Sequence, residues 1–205
     1  MLSNKGFDLW ADGYDKAVGL SDESNTYPFA GYKAVLGGIF SAIMASDRNN
    51  VLDIGFGTGT LASKLYEHGC DIYGQDFSAK MIEIASSKMP GAHLYQGDFS
   101  KGLVNELAEK RYDFIVSTYA LHHLTLDQKI AFISQLHNLL NEGGMLLIGD
   151  VAFGTSAELN ACRNECGDEW DDEEIYFVYD EMKEVFPEMT FEKVSYCAGI
   201  LTLQK

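Results

Sequence analysis

The chain has 205 residues, 46% hydrophobic and 22% charged, the balance of one globular domain with a substantial core. Its formal net charge of −16, with Lys and Arg scattered, disfavours a nucleic-acid partner, which needs a basic footprint, and mildly favours a cationic ligand. No apolar run reaches the roughly 18 residues of a bilayer span, and the opening MLSNKGFDLW has no apolar signal core, so a soluble cytoplasmic protein without a membrane partner is expected.

In chain order, the first fifty residues read as helical. An aromatic, turn-rich segment over 7–27, with Trp10, Tyr14 and Asp15, precedes a helical stripe of Phe29, Tyr32, Leu36, Ile39, Phe40 and Ile43. From Val51 the pattern alternates. Strands are predicted over 51–54, 71–75, 93–96, 114–117 and 145–148. Helices are predicted over 61–68, 79–88 and 103–110, and from a Thr125/Gln128 capping box to about residue 140. A turn at 142–144 leads into the last of these strands. The strand runs are short and almost wholly apolar, as in a parallel sheet covered on both faces. The tail predicts a helix over 158–165, an acidic run over 168–174 containing Trp170, and a helix over 175–185. Two further strands, 190–196 and 199–203, read as an antiparallel hairpin on the sheet edge. Four cysteines are expected to be reduced thiols. Only Cys162 and Cys166 are close, and no second Cys/His pair has zinc spacing.

The stretch VLDIGFGTGTLA carries the first chemical signal. Gly55, Gly57 and Gly59 follow the first strand of the alternating region, at the edge where open α/β sheets bind ligands. Glycine there permits positive φ and lets a ligand approach the backbone, and a helix N-terminus follows. A dinucleotide fingerprint would need a third glycine where Thr60 stands, and no Lys-Ser or Lys-Thr follows to make a phosphate loop. Asp53 ends the first strand, Asp76 the second and Asp98 the third. Three carboxylates around one crevice repel a pyrophosphate and suit a cationic nucleoside without phosphate. Asp76, about 20 residues beyond the loop, is placed to accept ribose hydroxyls.

The order DIGFGTG, GQDFS, GDF, YDFIVSTYALHHL and LLNEGGMLLIGD resembles that of class I S-adenosylmethionine-dependent methyltransferases. FDLWADGYDKAV and STYALHHL look most like the small bacterial YrrT-like methyltransferases. The resemblance implies a Rossmann-like fold with a mostly parallel seven-stranded sheet, helices on both faces and a C-terminal antiparallel hairpin. It implies a single methyltransferase domain, 1–205, with an N-terminal helical cap over 1–48 and the core over 49–205. It implies S-adenosylmethionine as cofactor and a small-molecule methyl acceptor. By the same resemblance Gly55, Gly57 and Gly59 line the methionine and ribose part and Asp53 faces the amino acid end. Asp76 holds the ribose, Phe77 and Met81 flank the adenine, Asp98 and Phe99 lie at its edge, and Tyr14 closes over the cofactor.

The acceptor side is less defined. His122 and His123 follow the fourth strand, and either would serve the local turn, line the acceptor pocket or act as a general base. No carboxylate or third histidine is spaced in the sequence to complete a metal site with them, so no metal is expected. The acidic run reads either as a solvated face or as a lid with Trp170 and Tyr176 turned inward. Without an assured catalytic base, an S-adenosylmethionine-binding sensor or assembly module is the rival function.

Overall fold

A computed structural model describes residues 25–205 of the chain. Trp10, Tyr14 and the first half of the expected N-terminal cap lie outside the described residues. Helix α1 (Tyr32–Met44) buries Leu36, Ile39 and Ile43 of the predicted stripe and also Val35, while Tyr32 and Phe40 of the stripe are half-buried. Then come β1 (Asn50–Ile54), α2 (Thr60–Glu67), β2 (Asp71–Asp76), α3 (Ala79–Lys88), β3 (His93–Gln96), α4 (Asn105–Ala108) and β4 (Tyr112–Thr118). Helix α5 (Leu126–Asn138), β5 (Leu140–Phe153), α6 (Ser156–Cys166), β6 (Phe177–Val178), α7 (Tyr179–Val185), β7 (Thr190–Lys193) and β8 (Ala198–Gln204) complete the chain.

The strands join in the order β3-β2-β1-β4-β5-β8-β7, with the two-residue β6 beside β5. β1 to β5 run parallel, and β8 is antiparallel to both β5 and β7. The order reverses between β1 and β4, which opens a crevice at the carboxyl ends of these strands. Successive residues of one strand feed opposite cores. Val51, Phe114, Val116 and Leu147 pack with α1, while Leu52, Ile54, Ile115, Leu146 and Ile148 pack with Phe132, Ile133 and Leu136 of α5. That two-sided burial is why the strand sequences lack a polar face. α1 lies directly on β5 at Gly149, where a Cβ would come within 2.3 Å of Val35 Cγ1.

The capping box forms as expected. Thr125 Oγ1 accepts from Gln128 N at 3.3 Å and Gln128 Oε1 from Thr125 N at 2.9 Å. Three details differ from the sequence reading. The 142–144 turn is absorbed into β5, with Gly143 at φ 70° and a register shift against β4 between Tyr112 and Phe114. The segment read as one helix over 175–185 first pairs with β5 as β6, because Phe177 and Val178 are buried there. The C-terminal hairpin forms, but only β7 occupies the edge. β8, with the apolar run Ala198–Leu201 fully or nearly buried, inserts between β5 and β7.

Candidate active site

The three glycines of the loop do three different things. All have positive φ: 68° at Gly55, 55° at Gly57 and 76° at Gly59. At Gly55 a Cβ would meet Ala120 Cβ at 2.5 Å, so glycine there seats the loop against the segment after β4. Gly59 is the N-cap of α2, packed against Met89 and Ala85 of the next helical unit. At Gly57 a Cβ would meet nothing within 4 Å. Its residue lines the cavity, and its N–H donates to Asp76 Oδ2 at 2.8 Å.

The carboxylates at the strand ends are likewise distinct. Asp76 is nearly buried, and its second oxygen accepts from Ser78 N at 2.9 Å, so it ties the glycine loop to the start of α3. Ser78 caps α3 through Met81 N at 3.2 Å and thereby fixes Met81 and Phe77 on the cavity wall. Asp98 caps the short turn Phe99–Lys101. Burial acts against its charge. Hydrogen bonds from Ser100 and the Lys101 ammonium at 2.9 Å outweigh that and hold its carboxyl below the usual range. Phe99 stacks on Phe132, with centroids 6.1 Å apart. Asp53 lies beneath the loop and is absent from the cavity lining. Its Oδ1 has no hydrogen-bond partner, and burial, reinforced by Asp76, pushes its pKa up to about 8. Of the expected cofactor residues within the described chain, Gly55, Gly57, Asp76, Phe77, Met81, Asp98 and Phe99 therefore share one cavity, while Asp53 and Gly59 stand behind it.

The facing wall assembles from distant segments. His122 is buried, with Nδ1 2.7 Å from Asp150 Oδ1. Burial disfavours its charged form, but the carboxylates of Asp150 and Glu174 prevail and raise its pKa. His123, against the His122 ring at 4.3 Å between centroids, is pushed the other way, to about 4, by burial and by the neighbouring imidazole. Glu174 arrives from the acidic run, with Oε1 3.4 Å from His122 Nε2 and 4.0 Å from His123 Nδ1. The sequence reading found no carboxylate to join the two histidines. The fold supplies one from fifty residues away, because Ile175 N donates to His122 O at 2.9 Å and draws the acidic run across the site.

Behind Glu174, Tyr176 Oη donates to Oε2 at 2.7 Å and is itself hydrogen-bonded to Tyr27 Oη. Trp170 stacks on Tyr27 at 5.2 Å and 14°. Asp171 N donates to the Tyr27 hydroxyl at 3.1 Å. The acidic run thus has an inward aromatic side, and Glu169, Asp171 and Glu174 line the cavity. Lys129 is fully buried below this wall, donates to the Ile175 carbonyl and lies 4.5 Å over the Phe177 ring. Burial, partly offset by Asp150 and Glu174, lowers its pKa to about 8.

Sequence reasoning passed over Tyr27, Lys129, Asp150 and the separate part played by Glu174. Two signals were present. Lys129 stands at an apolar position of α5, in line with Phe132, Ile133 and Leu136, and Asp150 interrupts an otherwise apolar strand. A charge at a core position is rarely idle.

The two walls enclose a cavity of about 400 Å³ at the topological switch point, which makes the molecule an open α/β protein with a small-ligand site. Residues 51–144 match a family model described as a methyltransferase domain. An uncharacterized methyltransferase of Alkaliphilus oremlandii is 35% identical over 150 residues, covering 73% of this chain and 68% of that protein. One from Anoxybacillus flavithermus is 38% identical over 147 residues, covering 72% and 66%. The chain belongs to this methyltransferase family, and the match spans about two thirds of its relatives' length. The fold is similar to that of magnesium protoporphyrin IX methyltransferase from Synechocystis PCC 6803, solved with bound S-adenosylhomocysteine (SAH). The TM-score is 0.68 at 19% identity, over 86% of this chain and 84% of that one. Among the described residues no helix is long and apolar enough to cross a membrane.

Proposed function

We propose that the protein transfers the methyl group of S-adenosylmethionine to a small-molecule acceptor held between the two walls. The observation that carries the reading is the donor wall. It offers an open approach to the backbone at Gly57, the strand-end carboxylates Asp76 and Asp98, and no lysine or arginine in the cavity lining to meet a phosphate. The orphaned Oδ1 of Asp53 also fits, since a buried carboxylate oxygen without a partner is completed by a cationic group above it. The SAH bound to the Synechocystis methyltransferase of the same fold supports this reading.

When bound, S-adenosylmethionine supplies an electrophilic methyl group on a sulfonium. The chain's own residues hold and shield. Gly55 and Gly57 let the ligand lie against the backbone, and Asp76 would accept from the ribose hydroxyls. Phe77 and Met81 would flank the adenine, with Asp98 and Phe99 at its edge, and Asp53 would balance the amino acid end. His122, His123, Glu174 and Tyr27 face them and would orient the acceptor. The aromatic underside of the acidic run excludes water, so that alignment supplies most of the acceleration. The carboxylates on this wall favour a neutral or cationic acceptor over an anionic one.

Calorimetric titration with S-adenosylmethionine is expected to show one site per chain. Asp76→Ala, which removes both carboxylate oxygens and with them the ties to Gly57 N and Ser78 N, is expected to weaken binding about tenfold or more, the cost of losing a charge-assisted hydrogen bond. Absence of binding at millimolar ligand would overturn the reading. Formation of SAH with a metabolite extract would distinguish a transferase from a module that only binds.

A further inference from the structure

We propose that His122, His123 and Glu174 form a binding site for one divalent transition-metal ion on the acceptor wall. The ligand atoms they offer, one from each residue, all lie within 4.8 Å of one another. His122 Nε2 is 3.4 Å from Glu174 Oε1, and His123 Nδ1 is 4.0 Å from the same oxygen. Bonds of about 2.0–2.2 Å in a tetrahedral shell put neighbouring ligand atoms about 3.4 Å apart. The first pair already has that separation, and the second reaches it with a side-chain shift of about half an ångström.

The residues behind the ligands are arranged as a metal site requires. A ligating imidazole normally donates its other N–H to a carboxylate, which fixes the tautomer and aims the lone pair. Asp150, fully buried, stands 2.7 Å from His122 Nδ1 and leaves Nε2 directed at Glu174. The ligating carboxylate is held in the same way, for Tyr176 donates to Glu174 Oε2 at 2.7 Å and turns Oε1 toward the histidines. A simple ion pair would not produce this pattern. His122 already has its counter-charge in Asp150, and the separations of 3.4 and 4.0 Å to Glu174 are too long for well-formed hydrogen bonds. The carboxylates of Asp150, Asp171 and Glu174 surround the histidines, and Lys129 is the opposing charge acting on them.

Two imidazoles and one carboxylate suit zinc and its first-row neighbours rather than magnesium or calcium, which take oxygen shells. Three protein ligands leave a position open. All three residues line the cavity, so an oxygen, nitrogen or sulfur of the acceptor would complete the shell. That last step rests on the methyl-transfer reading. Metal binding itself does not.

The test uses the full chain after treatment with a chelator. Titration with Zn²⁺ by calorimetry is expected to give one ion per chain at micromolar affinity or tighter. Titration with Co²⁺ is expected to give visible bands of four- or five-coordination without the intense thiolate band that the Cys162–Cys166 pair would produce. Glu174→Gln and His123→Ala should each weaken Zn²⁺ binding at least tenfold, and a Cys162→Ser, Cys166→Ser variant should leave it unchanged. Sub-stoichiometric binding by the unaltered chain, a thiolate band, or unchanged affinity in both ligand variants would overturn the proposal. S-adenosylmethionine binding by the metal-free chain, measured in parallel, separates the two readings. Ligand bound without Zn²⁺ uptake sinks the metal site alone, and Zn²⁺ uptake without ligand sinks the methyl-transfer reading alone.

Discussion

The donor wall and the acceptor wall meet in one cavity but are built differently. The donor wall is made mainly of backbone: left-handed glycines, an N-capped helix and strand-end carboxylates, all within three consecutive strand–helix units between residues 53 and 99. The acceptor wall is made of side-chain charges and hydroxyls from segments far apart, such as Tyr27 and Tyr176, 149 residues distant in sequence. A backbone device tolerates no added atom at its tight points, whatever the solvent conditions. A charge network tolerates changes of shape but not the loss of a partner. The two walls should therefore fail in different ways when altered.

The largest effect is expected at Gly55. Gly55→Ala adds a left-handed alanine at φ 68° and a Cβ 2.5 Å from Ala120, backbone carrying that neighbour. Strain and overpacking together should cost about 4 kcal/mol, read as a large fall in the denaturation midpoint or loss of folded protein. Gly57→Ala sharpens the comparison, because its Cβ meets nothing within 4 Å. It should cost only about 1 kcal/mol of stability while its methyl group, standing in the cavity, weakens S-adenosylmethionine binding. Equal losses of stability in the two variants would show that the glycines are not divided between packing and ligand approach.

On the acceptor wall, Lys129→Met is expected to cost about 2 kcal/mol, measured by urea denaturation. The substitution keeps the aliphatic volume but strands the Ile175 carbonyl and removes the cation facing Asp150 and Glu174. S-adenosylmethionine affinity should stay within about twofold, since the Ile175 carbonyl and the Phe177 ring that Lys129 meets belong to the acceptor side. A loss of affinity as large as that of Gly57→Ala would mean that the two walls are energetically one unit.

This division also explains what was legible in the sequence. The glycine loop, Asp76 and Asp98 could be read because they lie at or just beyond short strand runs, which brings them to one edge of the sheet, while the places of Phe77 and Met81 rest on the family resemblance. The parallel class of the sheet followed from the same alternation, but the strand order did not, and the hairpin's inner strand, β8, was indistinguishable from an edge strand by its own composition. Nothing local tells that Glu174 will cross to His122. That contact depends on where the loop between α6 and β6 lands, which is settled by the packing of Trp170 and Tyr176 on the distant Tyr27 and by the burial of Phe177. The rest of the site was hidden for the same reason. Side-chain networks are properties of packing, and packing has no period in the sequence.

An effect of another kind, a dependence on pH, concerns Asp53, and its sign is fixed by the direction of the shift. Its folded pKa of about 8 lies above the ordinary value of 3.8, so between these values the folded chain holds a proton that the unfolded chain has lost. The Asp53 contribution to the stability of the unliganded protein therefore falls as pH rises through that window, and nothing is gained from its ionisation above it. A cationic ligand over the carboxylate reverses the preference and lowers the pKa, so binding should release a proton. S-adenosylmethionine affinity should then increase from pH 6 to pH 7.5, by at most about tenfold per unit. Calorimetry in two buffers of different ionisation enthalpy should register the released proton. Asp53→Asn should remove the Asp53 part of the pH slope of stability and of the proton release, and the difference from the unaltered chain cancels the titration of the other groups and of the ligand itself. An unchanged slope in Asp53→Asn would place the proton elsewhere and remove Asp53 from the cation's environment. A slope lost without any change in proton release would leave Asp53 a buried cost of the fold, with no part in holding the donor.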